Sequence, residues 1–116
     1  MAMMKPSIEW VDFEKVDMRV GTVLTCILNP EARKPAYVLT IDFGPELGIK
    51  TSSAQLTRNY TPPDLIGRQV VAVVNLLPRR IAGVKSEVLV LGALSAEKDV
   101  VLLFPSHTVE NGSPIG

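Results

Sequence analysis

The sequence is poor in the residues that most chemistry needs. Cys26 is the only cysteine among 116 residues, so no intramolecular disulfide can form and no cysteine-based metal cluster can assemble. It reads as an inert strand or core residue. His107, the only histidine, lies in a proline-containing tail; one imidazole and one thiol make a zinc site only with converging carboxylates, and no such spacing is visible. No Gly-x-Ser-x-Gly elbow is present to hold a serine nucleophile. Aromatics amount to 5%, with two tyrosines, which leaves little to stack single-stranded bases on. No run approaches the roughly eighteen apolar residues of a membrane span, and the opening MAMMKPSIEW lacks the apolar centre and small-residue cleavage site of a signal peptide. The expectation is a cytoplasmic protein with no cofactor and no metal.

What is present is ordinary globular material, 47% hydrophobic and 21% charged, in a length that suits one domain over residues 1–116. The formal net charge is zero, against a strongly basic nucleic-acid binder. Its distribution is less even. From Lys50 to Lys85 there are six basic residues (Lys50, Arg58, Arg68, Arg79, Arg80 and Lys85) and one acid, Asp64, leaving +5. A local patch for phosphates or acidic peptide is one reading of this excess, and basic side chains scattered for solubility are the other.

Hydrophobic alternation predicts strands in succession. After a disordered-looking tag of Met and Ala, Ile8, Trp10, Val11 and Phe13 suggest a turn or two of helix starting near Ser7 or Asp12, plugging a barrel end or an interface, with Trp10 packed. From Met18 the run MRVGTVLTCIL is a long strand with a bulge or bend expected at Gly21, and Met18, Val20, Thr22 and Leu24 sharing a face. Ala36 to Phe43 alternates, placing Tyr37, Leu39, Ile41 and Phe43 on the core side. Leu47 to Ser53 is a weaker third strand, and Ala54 to Tyr60 a short helix broken by Thr61, Pro62 and Pro63. Val70 to Val74 and Val88 to Leu91 are apolar strands flanking a basic loop, and Val100 to Phe104 is a last strand before a loop-rich tail. Five or six strands without βαβ alternation indicate an all-β fold, a small Greek-key barrel.

Among candidate motifs, Gly44-Pro-Glu-Leu-Gly48-Ile-Lys50-Thr51 imitates a phosphate-cradling loop but has the wrong glycine spacing and no helix to follow. Binding remains. Lys50, Ser52, Ser53, Arg79, Arg80, Lys85 and Ser86 would supply donors for phosphate oxygens on one side of the barrel. Leu76, Leu77, Ile81 and Val84 would instead floor a groove ringed by Arg79, Arg80 and Lys85, suited to a peptide with apolar and acidic side chains. Core or a subunit contact would use the same apolar residues equally well.

Several separated motifs carry a resemblance: Asp17-Met-Arg-Val-Gly21, Pro30-Glu-Ala-Arg33, Tyr37 to Gly44, Gly48 to Gln55, Asn75, Pro78 to Gly83, Ser86 to Gly92 and Asn111-Gly112. Together they resemble the small OB-fold family of free-standing tRNA-binding domains and bacterial export-related chaperones. The resemblance implies a five-stranded OB-fold Greek-key barrel with a short helix and N- and C-terminal extensions, a homodimer, and no catalytic activity. It implies unfolded or pre-secretory polypeptides and the secretion machinery as partners, with tRNA or structured RNA as the alternative. The tRNA-binding members use the face around Asn75, Arg79, Arg80 and Ser86. Leu77 stands where a lysine is usual before the proline, and Val88 where a glycine is usual after the serine, and both departures weaken the tRNA reading. A third reading is an enzyme acting on a small substrate in a cavity between subunits.

Overall fold

Tyr37, Leu39, Ile41 and Phe43 occupy every second position of one run, and in the computed structural model, which describes residues 3–96 and 99–116, all four are buried. Their strand, β2 (Tyr37–Asp42), pairs antiparallel with the long β1 (Met18–Leu28) on one side and β3 (Ile49–Ala54) on the other. β4 (Gln69–Val73) pairs with the first half of β1, and β7 (Leu89–Val90) with β4, giving the sheet order β3-β2-β1-β4-β7. Side chains and backbone of residues 86–88 then meet β3: Ser52 Oγ donates to the Val88 carbonyl at 3.0 Å, and the Glu87 amide to the Thr51 carbonyl at 2.8 Å. This seam leaves a nearly closed OB-fold-like barrel.

Inside it lie Val23, Leu39, Ile41, Phe43, Leu65, Val70, Ala72 and Val88, with Cys26 at the margin. Each large side chain removed from water contributes on the order of 1.5–3 kcal/mol. Burial pushes the Cys26 thiol up from its ordinary value, as an inert core cysteine requires.

Gly21 is needed for contact rather than for a bulge. A Cβ there would lie 2.7 Å from Ile41 Cγ2 and from Phe43 Cδ1. The register jump of β1 falls instead between Val23 and Thr25, which turns the apolar face over: Val23 and Cys26 point inward, and Leu24 is exposed.

Short helices mark the joints. The expected helix over Ala54 to Tyr60 is absent: Ala54 ends β3, and the chain after it is a loop. A helical turn, α3 (Pro62–Leu65), sits on the prolines expected to break it; α1 (Trp10–Glu14) and α2 (Gly44–Leu47) come earlier in the chain. Proline at the first helical position loses no hydrogen bond, and Thr61 and Asp64 form a reciprocal capping box before it. Leu65 is thereby turned into the core. α1 is capped by Glu9 and Asp12, yet Trp10, Val11 and Phe13 are exposed, Trp10 at 86%, so this helix does not plug its own barrel. Met1 and Ala2 of the expected tag lie outside the described residues.

The basic loop is a hairpin of two further strands, β5 (Arg79–Ile81) and β6 (Val84–Ser86). The apolar run expected over Val88 to Leu91 contributes only the two residues of β7 to the sheet. β8 (Gly92–Leu94) and β9 (Val100–Leu102) form a second hairpin. The tail returns along β1, where the Val20 amide donates to Ser113 and the Gly112 amide to Val20.

Candidate functional site

Ala82 and Gly83, both with positive φ (46° and 81°), join β5 to β6 through the two-residue turn that matches the twist of paired strands. Asn29, itself buried, donates from Nδ2 to the Ala82 carbonyl at 3.3 Å and so ties this turn to the loop after β1. Within the hairpin Arg79 lies opposite Ser86 and Arg80 opposite Lys85. Alternation therefore sends Arg79, Ile81 and Ser86 to one face and Arg80 and Lys85 to the other.

The first face looks into a cavity of about 580 Å³. Leu76, Leu77, Ile81, Val88 and Leu89 give it an apolar lining, and Ser53, Asn75, Arg79, Ser86 and Glu87 are its polar members. Leu77 is 89% exposed, at the rim. A second cavity of similar size shares Ser53 and Ile81 with the first and continues past Ala82 to Glu31, Arg33, Lys34 and Gln55. The two adjoin at Ser53 and Ile81 and together make up the groove beside the hairpin.

Six of the residues named from the sequence thus come together: Ser53, Asn75, Leu77, Arg79, Ile81 and Ser86. Four do not. Ser52 is 1% exposed and donates its hydroxyl to Val88, which makes it a barrel-closing residue rather than a ligand contact. Lys50 lies on the face of β3 opposite Ser53, because strand side chains alternate. Arg80 and Lys85 stand on the outer side of the hairpin, where Arg80 Nη1 donates to the Gly83 carbonyl at 3.1 Å. Val84, expected in the groove floor, does not line the cavity either.

Asn75 spends its carboxamide on the chain itself. Its Oδ1 accepts from the Asp17 amide at 2.9 Å and its Nδ2 donates to the Lys15 carbonyl at 2.7 Å, holding the end of α1 beside the cavity. Ser86 Oγ accepts from the Ser53 amide at 3.0 Å, and Glu87 Oε1 from the Thr51 amide at 3.1 Å.

The basic excess of the middle segment is partly used elsewhere. Arg58 pairs with Asp99 at 2.8 Å, and Arg68 stacks between the rings of Tyr60 and Phe104, 5.4 Å from each. Other ion pairs among the described residues join Lys15 to Asp12 and Arg19 to Asp17. Arg33, Lys34, Arg79, Arg80 and Lys85 stand outside these pairs.

Val88, Leu89, Glu87 and the cations Arg33 and Lys34 are groove residues that the sequence reading passed over. Arg33 and Lys34 were visible as a charged pair before Pro35; that they face the hairpin depends on pairing across the barrel. Among the described residues no three His, Cys, Asp or Glu side chains converge to hold a metal ion. Nor is any helix there long and apolar enough to cross a membrane, which says nothing of β-barrels.

Comparison with known proteins fits this geometry. The chain is 36% identical over 111 residues to the methionine–tRNA ligase of Parabacteroides distasonis, covering 96% of this chain and 16% of the ligase. It spans about a sixth of the length of the curated relatives it matches. Two solved structures are matched from end to end. The chaperone CsaA of Bacillus anthracis str. Ames superposes with a TM-score of 0.91 at 53% identity, covering 96% of this chain and 100% of that one. CsaA of Picrophilus torridus does so at 0.89 and 46%, covering 95% and 100%. With the family described as putative tRNA binding domain matching residues 18–114 as well, the chain belongs to that family, on the branch that the CsaA chaperones represent.

Proposed function

We propose that this protein is a chaperone-like binder that takes up unfolded or pre-secretory polypeptide in the groove beside the hairpin. It acts by binding rather than catalysis, as a homodimer in the cytoplasm in contact with the secretion machinery. The observation that carries the reading is the apolar lining of Leu76, Leu77, Ile81, Val88 and Leu89 with Arg79 among its polar members. Such a surface takes apolar side chains and offers a counter-charge for a neighbouring carboxylate. Support for the chaperone part comes from the likeness to CsaA. Support for a dimer comes from exposed apolar residues that this chain leaves uncovered, among them Trp10 and Phe13 on α1 and Leu94 and Val101 on the second hairpin.

One observation favours a second reading, tRNA or structured RNA. The family description names tRNA, and Arg80 and Lys85 face outward beside Arg79 with no ion-pair partner among the described residues. The two readings differ in salt response. Neutralising phosphates releases counterions, so RNA affinity falls steeply with salt, whereas apolar peptide binding does not. Titrating labelled tRNA and a labelled unfolded polypeptide at low and high salt is the test. Salt-insensitive polypeptide binding is expected; tRNA binding with no detectable polypeptide binding reverses the assignment.

A further inference from the structure

The edge of β3 is covered by side chains up to Ser53 and then left open. In an antiparallel ladder the amide and carbonyl of one residue point the same way. Thr51 directs both away from β2, to Glu87, and Ser53 directs its amide to Ser86 Oγ. The Ser53 carbonyl shares that outward side, and no group among the described residues donates to it. The Gln55 amide has no acceptor among them either. Both residues line the second cavity, and Ser53 lines the first as well.

We propose that this open edge is a strand-addition site: an extended polypeptide pairs its backbone with the Ser53 carbonyl and the Gln55 amide while its side chains fall into the groove. The proposal rests on the polypeptide-binding reading and specifies how the chain is held. An unpaired carbonyl and amide on a strand edge are a template for another strand. A phosphate backbone is a poor fit, since its charged oxygens are acceptors and the Ser53 carbonyl repels them. Charge selects the peptide further. Arg33 and Lys34 are exposed in the second cavity and outside the described ion pairs, and Arg79 lines the first. Of the carboxylates nearby, Glu87 is turned to the Thr51 amide, and Glu31, beside Gly83, is the one acid against Arg33 and Lys34 in the second cavity. The occupant is therefore an extended segment in which apolar side chains alternate with acidic ones.

Gln55 permits a clean test. The Leu56 amide donates to the Ala54 carbonyl at 3.1 Å, making Gln55 the centre of a three-residue turn. Positive φ outside glycine occurs only at Ala82 among the described residues, so this turn is the inverse kind, with φ near about −75°, which proline adopts. Ala54, in β3, already has the extended backbone that a following proline requires. Gln55→Pro thus removes one donor at little structural cost, and Gln55→Ala keeps it. With a labelled synthetic peptide of alternating leucine and glutamate, Gln55→Pro is expected to weaken binding about tenfold, roughly the worth of a lost buried hydrogen bond, and Gln55→Ala to leave it unchanged.

Methylating the backbone nitrogens of the same peptide one at a time gives an independent measurement on the native protein, and decides the matter if Gln55→Pro does not fold. Loss at the single residue whose N–H meets the Ser53 carbonyl, with the others binding as before, supports pairing. Equal binding of all methylated peptides, or equal weakening by all of them, overturns the edge proposal and leaves the groove reading standing. Absence of binding by the unmethylated peptide alongside retained tRNA binding overturns the polypeptide reading itself, and the edge proposal with it.

Discussion

Glu87 grips Thr51 twice, its backbone amide donating to the Thr51 carbonyl at 2.8 Å and its carboxylate accepting from the Thr51 amide at 3.1 Å. The barrel seam is closed here by one residue acting through main chain and side chain together. Glu87→Ala keeps the first bond and strands the Thr51 amide. A loss of about 1–2 kcal/mol is expected, read as a lower denaturation midpoint in urea with an unchanged slope. Unchanged stability would show that water replaces the carboxylate.

Arg79 and Arg80 are neighbours in sequence and lie on opposite faces of the hairpin. Single substitutions should therefore separate. Arg79→Ala is expected to weaken polypeptide and RNA alike, and Arg80→Ala to affect RNA alone, each lowering the slope of log affinity against log salt for RNA by about 1. Both residues are exposed, so stability should stay within about 0.5 kcal/mol. Equal effects on polypeptide would place both arginines on one surface and refute the face assignment.

Gly21 has no room for a methyl group between Ile41 and Phe43. Gly21→Ala is expected to destabilise by about 1–3 kcal/mol through overpacking, although alanine is better suited than glycine to a strand interior. Thermal unfolding measures it. A rise in melting temperature would mean that the core yields at this point.

Asp64 Oδ2 accepts from both the Thr61 amide and the Thr61 hydroxyl, each at 2.8 Å, and the amide bond, with the hydroxyl bond after it, holds the carboxyl below the ordinary aspartate value. A carboxyl lowered on folding contributes stability that is fully present above its unfolded value, and loses it as pH falls through the folded value. Wild type should therefore exceed Asp64→Asn at neutral pH, with the gap closing below about pH 4. Urea midpoints across that range test it. A gap independent of pH would mean that the charge on the Asp64 carboxylate contributes nothing to the cap.

The barrel strands were legible because their signal is local. Tyr37, Leu39, Ile41 and Phe43 declare a buried face by alternation, and all four are buried. The region after β3 is less legible, because Pro62 and Pro63 read as helix breakers, whereas at the start of a helix a missing amide costs nothing. Trp10 was expected to pack because aromatics usually do; its burial within this chain would need a surface that the chain does not supply. Of the groove, the basic hairpin and its leucines were visible as a composition. Its facing was not, since whether Arg80 turns in or out is decided by the two-residue turn, and whether Ser52 is free is decided by Val88, 36 residues away.

Asn29 is not itself part of the groove's lining, yet its carboxamide anchors the turn at Ala82, 53 residues along the chain. The turn that aims Arg79 is thus tied to the segment between residues 29 and 36, whose Arg33 and Lys34 also line the second cavity. Lengthening or shortening that segment would swing the hairpin and retune what the protein accepts while every contacting side chain kept its identity.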